Sequence, residues 1–278
     1  MFEDKKRIMR EALFNQRFDW IFLNEWLYEN PKYMGTKRIT HYGKSIFSQN
    51  GEDGIIHEIF NRIGTSNKFF VEFGVETGVE CNTAALLLQK WKGLWIEADK
   101  DFFNGIKKNF EEPIGKGQLD VKNAFVTPSN IENIFEEFNV PKELDLLSID
   151  IDSTDYWVRK AITNYKPRVL VMEYNAAFFP PVVWIKKKNE NIWNHDMNVG
   201  ASLQAIHDLN KHMGYTLVGC DFNGVNAFFV RNDCYDEELF EKNTSAKYHY
   251  ESFKGLTQNI FYKRAFSLGD IDEDIFEL

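Results

Sequence analysis

Residues 68–78, KFFVEFGVETG, decide the fold. A short apolar run leads into an acid at Glu72, and glycines follow at Gly74 and Gly78. A run of this kind is typical of a buried strand in a parallel sheet, and the glycines indicate a turn that enters a helix. Because glycine has no side chain, a ligand can approach the backbone of such a turn closely.

The same pattern recurs further along the chain. Candidate strands cover 68–74, 93–99, 123–127, 144–150 and 168–175, and helical segments lie between them at about 79–91, 101–110, 129–139 and 154–164. A last helix closes at Gly214, and 215–220 and 225–231 form a hairpin around the turn DFNG. The sequence therefore predicts an α/β fold with a seven-stranded open sheet, parallel except for one antiparallel strand, unlike the six parallel strands of a dinucleotide-binding fold.

Two flanking regions surround this predicted domain of residues 63–231. Residues 1–62 are expected to be a helical extension, and Phe14, Phe18, Phe22 and Trp26 recur in it at helical spacing. Such a stripe usually packs onto the main core, and a homo-oligomer contact is the alternative. Residues 232–278 are expected to pack on the domain as a C-terminal extension, and residues 176–200, with a Pro-Pro break, are long enough to form a lid.

Composition narrows the classes of partner and compartment. The chain of 278 residues has 33 Lys and Arg against 42 Asp and Glu, a net charge of −9, which is the wrong sign for binding nucleic acid. It has no apolar run of about 18 residues, so neither a signal peptide nor a membrane span is expected. The three cysteines have no metal-binding spacing and are expected to be reduced thiols in the cytoplasm.

The glycine turn and the second strand together indicate a nucleoside-bearing ligand. A nicotinamide-type fingerprint needs glycines at 74, 76 and 79, and Glu76 and Val79 do not meet it. An acid-x-Gly-x-Gly-x-Gly spacing is met at Glu72, Gly74 and Gly78, with Glu76 at its middle position. Glu97 ends the second strand about 20 residues beyond the turn, where an acid can bind both hydroxyls of a ribose.

The chain resembles the S-adenosylmethionine-dependent methyltransferases of the seven-stranded, Rossmann-like class I. Within that class it is most similar to FkbM-type and related sugar O-methyltransferases of bacterial capsule and other polysaccharide loci. The resemblance runs from about residue 47 to 231, through FSQNGEDGII, FVEFGVETGVECNT, GLWIEAD, LLSIDIDSTDYW, VMEYNA and GYTLVGCDFNGVNAFFVR. It implies a class I fold, S-adenosylmethionine as cofactor and a sugar or nucleotide-linked sugar as substrate.

The resemblance also implies which residues bind the cofactor. Glu72, Gly74 and Gly78 would line its methionine end, Glu97 its ribose, and Val126 and Thr127 its adenine, while Gln49 of SQNGEDG would close over it. Glu76 departs from the usual glycine, and either pairs with the cofactor ammonium or points away. Asp150 would also contribute to this pocket.

Acidic side chains follow the fourth and fifth strands. Asp150 and Asp152 follow one strand, and Glu173 and Asn175 close the next, so their oxygens can converge at the edge of the sheet where ligands bind. Carboxylates this close repel one another unless a cation or a proton lies between them. Oxygen ligands suit Mg²⁺ or Mn²⁺, which would activate a sugar hydroxyl. By resemblance to metal-dependent O-methyltransferases the ligands are Asp152, Glu173 and Asn175, with Asp150 as the competing first ligand.

The general base and the reaction class have alternatives. His195, in the predicted lid, titrates near neutral pH and is the leading candidate for the base, with Asp152 as the substitute. Asp150-Ile-Asp152 is also the DxD element of many metal-dependent glycosyltransferases. A non-catalytic scaffold that keeps the cofactor fold is the third hypothesis.

Overall fold

The computed structural model describes residues 31–151, 153–187 and 199–252. Several sequence-based expectations fall outside these residues. They are the aromatic stripe before residue 31, Asp152, the part of the predicted lid that contains His195, and the tail after residue 252.

One sheet of seven strands organises the described residues. The strands are β1 Phe69–Phe73, β2 Lys92–Glu97, β3 Leu119–Asn123, β4 Leu146–Ile149, β5 Val169–Glu173, β6 Tyr215–Cys220 and β7 Asn226–Arg231. Their order is β3-β2-β1-β4-β5-β7-β6, and β7 alone runs opposite to the other six strands. This order and the single reversed strand are those of the class I methyltransferase fold, so the predicted fold class is confirmed.

Helices cover both faces of the sheet. They are α1 Glu52–Ile63, α2 Ala84–Leu88, α3 Lys100–Asn109, α4 Glu111–Gly115, α5 Ile131–Glu137, α6 Asp155–Ala161, α7 Leu203–His212 and α8 Ala246–His249, and a 3₁₀ turn covers Ile39–Tyr42. Among the described helices, no segment is both long and apolar enough to cross a membrane.

The two cores follow from the alternation of side chains along the strands. In β1, Val71 and Phe73 join the core under α5, α6 and α7, whereas Phe70 joins the core under α1, α2 and α3. Strands buried on both faces read as continuous apolar runs, which is why the sequence pattern located them. Ile55 and Ile59 of α1 are fully buried in the second core, so this part of the N-terminal region packs on the sheet.

The predicted third strand is displaced. The sequence placed it at 123–127, but β3 is Leu119–Asn123 and residues 124–127 form the following loop. β3 is an edge strand beside β2 alone, and its LDVKN pattern is half exposed, so it lacks the apolar run that marks a central strand. The apolar residues after it line a cavity instead, as described below.

Gly93 of β2 provides a test of this packing. A methyl group at residue 93 would overlap the ring of Phe70, which is fully buried across the β1–β2 pair. We expect Gly93→Ala to lower the free energy of unfolding by about 1–3 kcal/mol, because a packed core does not accommodate an added methyl group. Urea unfolding measures the effect.

Gly115 in α4 supplies the matched control, since a methyl group there would meet nothing within 4 Å. Gly115→Ala should leave the protein as stable or up to about 1 kcal/mol more stable. Equal effects of the two substitutions would contradict the packing described for β2.

Candidate functional site

The site lies at the carboxyl edge of the sheet, where five strands place their residues in one row. Glu97 ends β2, Gly74 and Asp150 come directly after the last paired residues of β1 and β4, and Glu173 ends β5 opposite Asn226 of β7. β1 is the switch point of the strand order, with β2 on one side and β4 on the other. Ligands of open α/β sheets bind at this position.

A cavity of about 440 Å³ opens above this row. All five residues of the row line it, together with residues of the N-terminal segment, the glycine turn and the loops after β2 and β3. Its size is within the range of small-molecule sites in proteins. The structure thus brings together Gln49, Glu72, Gly74, Glu76, Glu97, Val126, Asp150 and Glu173 of the residues predicted from sequence.

Glu72 holds the base of the cavity together. Its buried carboxylate accepts hydrogen bonds from the backbone N–H of Asn82 at 2.9 Å, from both the backbone N–H and the hydroxyl of Thr83 at 3.0 and 2.6 Å, and from Ser148 of β4 at 3.3 Å. Burial raises the pKa of Glu72, and these hydrogen bonds offset part of that effect. Glu72 therefore fixes the turn between β1 and α2 and lines the cavity while already hydrogen bonded.

The two glycines of the turn have different roles. Gly74 has a φ of 73°, and a side chain there would overlap the carbonyl oxygen of Asp150. It lets β1 and β4 approach each other under the cavity. Gly78 has a φ of 79° and packs against the rings of Trp95 and Phe110, and it is not among the residues that line the cavity.

Glu76 occupies the position where the spacing called for glycine, and its φ is 49°. Glycine adopts this left-handed conformation more readily than other residues, which is consistent with the glycine that the spacing predicts there. The side chain is exposed, while the backbone N–H donates to Glu97 Oε2 at 2.8 Å. The other oxygen of Glu97 accepts the N–H of Asp99 at 2.7 Å. Burial raises the pKa of Glu97, against the effect of these two hydrogen bonds.

An apolar section of the wall lies beside Glu97. Ile96, Ala98, Ala124 and Val126 contribute to it, together with the large rings of Phe102 from α3 and Phe125 after β3. The two rings are 40% and 51% exposed, respectively, whereas Phe73 of β1 and Phe228 of β7 are fully buried. Sequence analysis missed both rings.

Thr127 is not part of this wall. Its backbone N–H donates to Asn130 Oδ1 at 2.8 Å, and its hydroxyl lies 3.0 Å from that of Ser129. The residue belongs to the turn before α5, so of the predicted adenine pair only Val126 lines the cavity.

The N-terminal wall is built by SQNGEDG. Asp53 Oδ2 accepts the backbone N–H groups of residues 46, 47 and 48 at 2.7, 2.7 and 2.9 Å, which fixes the chain before α1. Gln49 and Asn50 follow in the cavity wall, and Gln49 donates to Glu80 at 2.8 Å. Gln49 thus connects the N-terminal segment to the glycine turn across the cavity.

A second network, missed by sequence analysis, supports the same wall. Asn226 donates from Nδ2 to Oε1 of the fully buried Glu52 at 2.8 Å, and Asn50 donates to the same carboxylate through its backbone and side chain. Behind them the buried Asp221 accepts the backbone N–H groups of residues 224, 225 and 226. Oδ1 of Asn226 is buried, and no donor reaches it from the described residues.

The predicted metal ligands do not converge in the described part of the chain. Asp150 and Glu173 line the cavity, and Asp152 lies outside the described residues. Asn175 turns into the loop after β5, where its Oδ1 accepts the N–H of residue 177 and its Nδ2 donates to the carbonyl of residue 199. Residues 31–151, 153–187 and 199–252 contain no group of three His, Cys, Asp or Glu side chains that could hold a metal. The described residues therefore do not support the predicted Mg²⁺ or Mn²⁺ site, which stays a prediction because Asp152 lies outside them.

The buried acid Asp221 generates a pH-dependent prediction. Burial and the neighbouring Glu52 raise the pKa of Asp221 from an ordinary 3.8 to about 8. Between these values the folded protein binds a proton that the unfolded chain releases, so stability falls as the pH rises. We expect the free energy of unfolding to fall by ~1 kcal/mol or more between pH 5 and pH 8, and Asp221→Asn to remove this contribution.

Urea unfolding at several pH values measures the slope, and Asp233→Asn is the control. A hydrogen bond from Arg231 lowers the pKa of Asp233, so this carboxyl does not cause stability to fall as the pH rises, and its removal should leave that fall in place. A wild-type slope that persists in Asp221→Asn would contradict the raised pKa.

Comparison with solved structures returns methyltransferases. They include a putative O-methyltransferase from Klebsiella pneumoniae with 11% identity and a TM-score of 0.44, over 76% of this chain and 96% of that one. The N-terminal domain of EvdMO1, solved with SAH and D-fucose, has 10% identity and a TM-score of 0.43, over 66% and 83%. The METTL16 methyltransferase domain has 17% identity and a TM-score of 0.41, over 66% and 67%. No protein-family model and no curated protein matches the chain.

Proposed function

We propose that this protein is an S-adenosylmethionine-dependent O-methyltransferase that acts on a sugar hydroxyl. The observation that carries the proposal is the cavity at the switch point of the sheet. There a glycine turn, an acid at the end of β2 and two exposed aromatic rings meet on one side, and a row of polar residues continues on the other. The sugar as substrate comes from the resemblance of the sequence.

The cavity residues suit an adenosyl group. Glu97 retains acceptor capacity for ribose hydroxyls, since each of its two oxygens has one backbone donor. Phe102 and Phe125 offer apolar faces to adenine, and Val126 lies next to them in the wall. Gln49, held beside Glu80, would cover the cofactor from the N-terminal side.

When bound, the cofactor supplies a methyl group on a sulfonium: its C–S bond breaks with the electron pair left on sulfur, and the acceptor oxygen forms the new C–O bond. The protein must orient the hydroxyl and take its proton. Asp150 and Glu173 are the described carboxylates at that end of the cavity. His195 and Asp152 remain predictions for the base, because both lie outside the described residues.

The charge of the wall separates this proposal from a DxD-type glycosyltransferase. The described lining of the cavity includes no Lys, Arg or His. It contains eight carboxylates, which are those of Glu52, Glu72, Glu76, Glu80, Glu97, Asp99, Asp150 and Glu173. A sulfonium cofactor is attracted to such a wall, whereas the diphosphate of a sugar nucleotide is repelled. The non-catalytic scaffold is the alternative that only an activity measurement removes.

The first test of the proposal is the affinity for S-adenosylhomocysteine. We expect binding in calorimetry, and an approximately tenfold higher Kd for Glu97→Gln, because a charge-assisted hydrogen bond to the ribose is lost. Glu112→Gln, on exposed α4, is the matched control and should bind as the wild type does. Binding of a sugar nucleotide without binding of S-adenosylhomocysteine would favour the glycosyltransferase.

The second test concerns the adenine. Replacing the half-exposed ring in Phe125→Ala should raise the Kd of S-adenosylhomocysteine by about 3- to 30-fold, because an apolar face against the base is lost. Phe179→Ala, a ring of similar exposure outside the cavity, is the control and should leave the Kd unchanged. Equal affinities of Phe125→Ala and the wild type would place adenine elsewhere.

A further inference from the structure

Glu76 differs from the other non-glycine residues that have a positive φ. Within the described part of the chain this group consists of Lys68, Glu76, Lys90 and Asn139. Lys90 and Asn139 directly follow the C-caps of α2 and α5, where a left-handed residue commonly ends a helix, and Lys68 directly precedes β1. Glu76, in contrast, lies in the glycine turn, and it is the member of this group that lines the cavity.

The conformation of Glu76 is unfavourable for a side chain, and the hydrogen bonding of the turn does not depend on that side chain. Glycine would adopt the same φ without the steric cost and would keep the hydrogen bond to Glu97, because that bond comes from the backbone N–H. The exposed carboxylate of Glu76 forms no hydrogen bond or ion pair with another residue of the described chain. Residues held in such conformations are concentrated at ligand sites, so the side chain has a role that the fold does not explain.

The order of the strands places Glu76 next to the ribose position of the proposed cofactor site. Along the edge of the sheet the loop after β3 comes first, then the end of β2, then the turn after β1. Phe125 in that loop and Glu97 on β2 are the proposed partners of adenine and ribose, and the backbone nitrogen of Glu76 lies 2.8 Å from Glu97 Oε2. A cofactor that runs in this order from adenine to ribose therefore brings its methionine part to Glu76.

The methionine part offers three groups, and its amine suits a carboxylate best. Its own carboxylate would be repelled by Glu76. The sulfonium carries a positive charge but no N–H, whereas the protonated amine carries the charge together with three N–H donors. A hydrogen bond between an ammonium and a carboxylate is roughly twice as strong as one between neutral groups.

We propose, on the basis of the proposed function, that Glu76 binds the protonated amine of the cofactor's methionine part and makes the site selective for ligands that carry this amine. The side chain is exposed at the cavity wall and is therefore accessible to the ligand. A glycine at residue 76 would relax the backbone but would supply no charge. The chain thus keeps a strained residue at a position where its side chain serves the ligand and not the fold.

Two ligands that differ only in the amine test this inference by calorimetry. We expect the wild type to bind S-adenosylhomocysteine at least about tenfold more tightly than its desamino analogue, in which hydrogen replaces the amine. Glu76→Gln should reduce this ratio to about threefold or less, because the amine then has no charged partner at residue 76. Glu112→Gln, on exposed α4, is the control and should keep the full ratio.

Glycine variants separate a ligand-binding role of Glu76 from a structural one. Glu76→Gly should raise the Kd of S-adenosylhomocysteine about tenfold and leave the urea midpoint of unfolding unchanged or higher, because the backbone strain is relieved. Lys90→Gly relieves the same kind of conformation after α2, outside the cavity, and should leave the Kd unchanged. A side chain with only a structural role in the turn would lower the urea midpoint when it is removed.

Three results would overturn the inference. They are an equal ratio of the two affinities in Glu76→Gln and the wild type, a lower urea midpoint in Glu76→Gly, and a Glu76→Gln that loses affinity for S-adenosylmethionine but not for S-adenosylhomocysteine, since the carboxylate would then face the sulfonium. If Glu97→Gln still raises the Kd of S-adenosylhomocysteine, the methyltransferase proposal survives each of them. Absence of S-adenosylhomocysteine binding by the wild type would refute the proposed function itself.

Discussion

The rest of the site depends on the hydrogen bonds of one buried carboxylate, that of Glu72. Glu72 is on β1 opposite Ser148 of β4, and its carboxylate accepts hydrogen bonds from Ser148 and from the backbone just before α2. An acid at this depth is tolerated because several donors surround it. Thr83 extends the network by accepting the indole N–H of Trp95 at 2.7 Å, so β2 is connected as well.

Three central strands are thereby held at fixed positions relative to the glycine turn. The turn in its present shape presents the backbone N–H of Glu76 to Glu97, and places Gly74 where β1 and β4 come closest. The geometry of the cavity wall therefore follows from one buried acid that does not need to touch a ligand. Glu72 therefore has a structural role in this motif, and it also lines the cavity.

The sequence predicted the sheet well, because central strands that are apolar on both faces stand out as apolar runs. Acids at the ends of several of these runs also indicated which edge of the sheet holds the site. The prediction was wrong at β3. This edge strand has a mixed polar and apolar pattern, and the apolar residues that follow it line the cavity. The prediction was also wrong at the helix expected over 79–91, since residues up to Thr83 belong to the turn held by Glu72 and α2 covers only Ala84–Leu88. Local periodicity does not reveal which apolar residues face a ligand.

The cavity end formed by Asp150, Glu173 and Asn226 could not be found by local pattern for a different reason. These residues meet through the register of three strands, and Asn226 joins the other two because β7 runs antiparallel beside β5. The partner of Asn226, Glu52, is separated from it by 174 positions along the chain. Asn175 is the opposite case. It is close to Glu173 in sequence, but its side chain bonds the loop after β5 and does not line the cavity.

The hydrogen bond between Glu52 and Asn226 also has a consequence for the order of folding. Together with the bond from Thr40 to the carbonyl of Cys220, separated by 180 positions, it joins the N-terminal wall to the hairpin at the far end of the sheet. Such contacts form only when residues far apart in the chain come together, which costs loop-closure entropy. During synthesis the residues around Glu52 emerge first, yet their partners on β6 and β7 follow only after most of the sheet has been made. The cavity wall is therefore complete only when β7 has joined the sheet beside β5, and a ligand that binds this wall requires both ends of the chain to be in place.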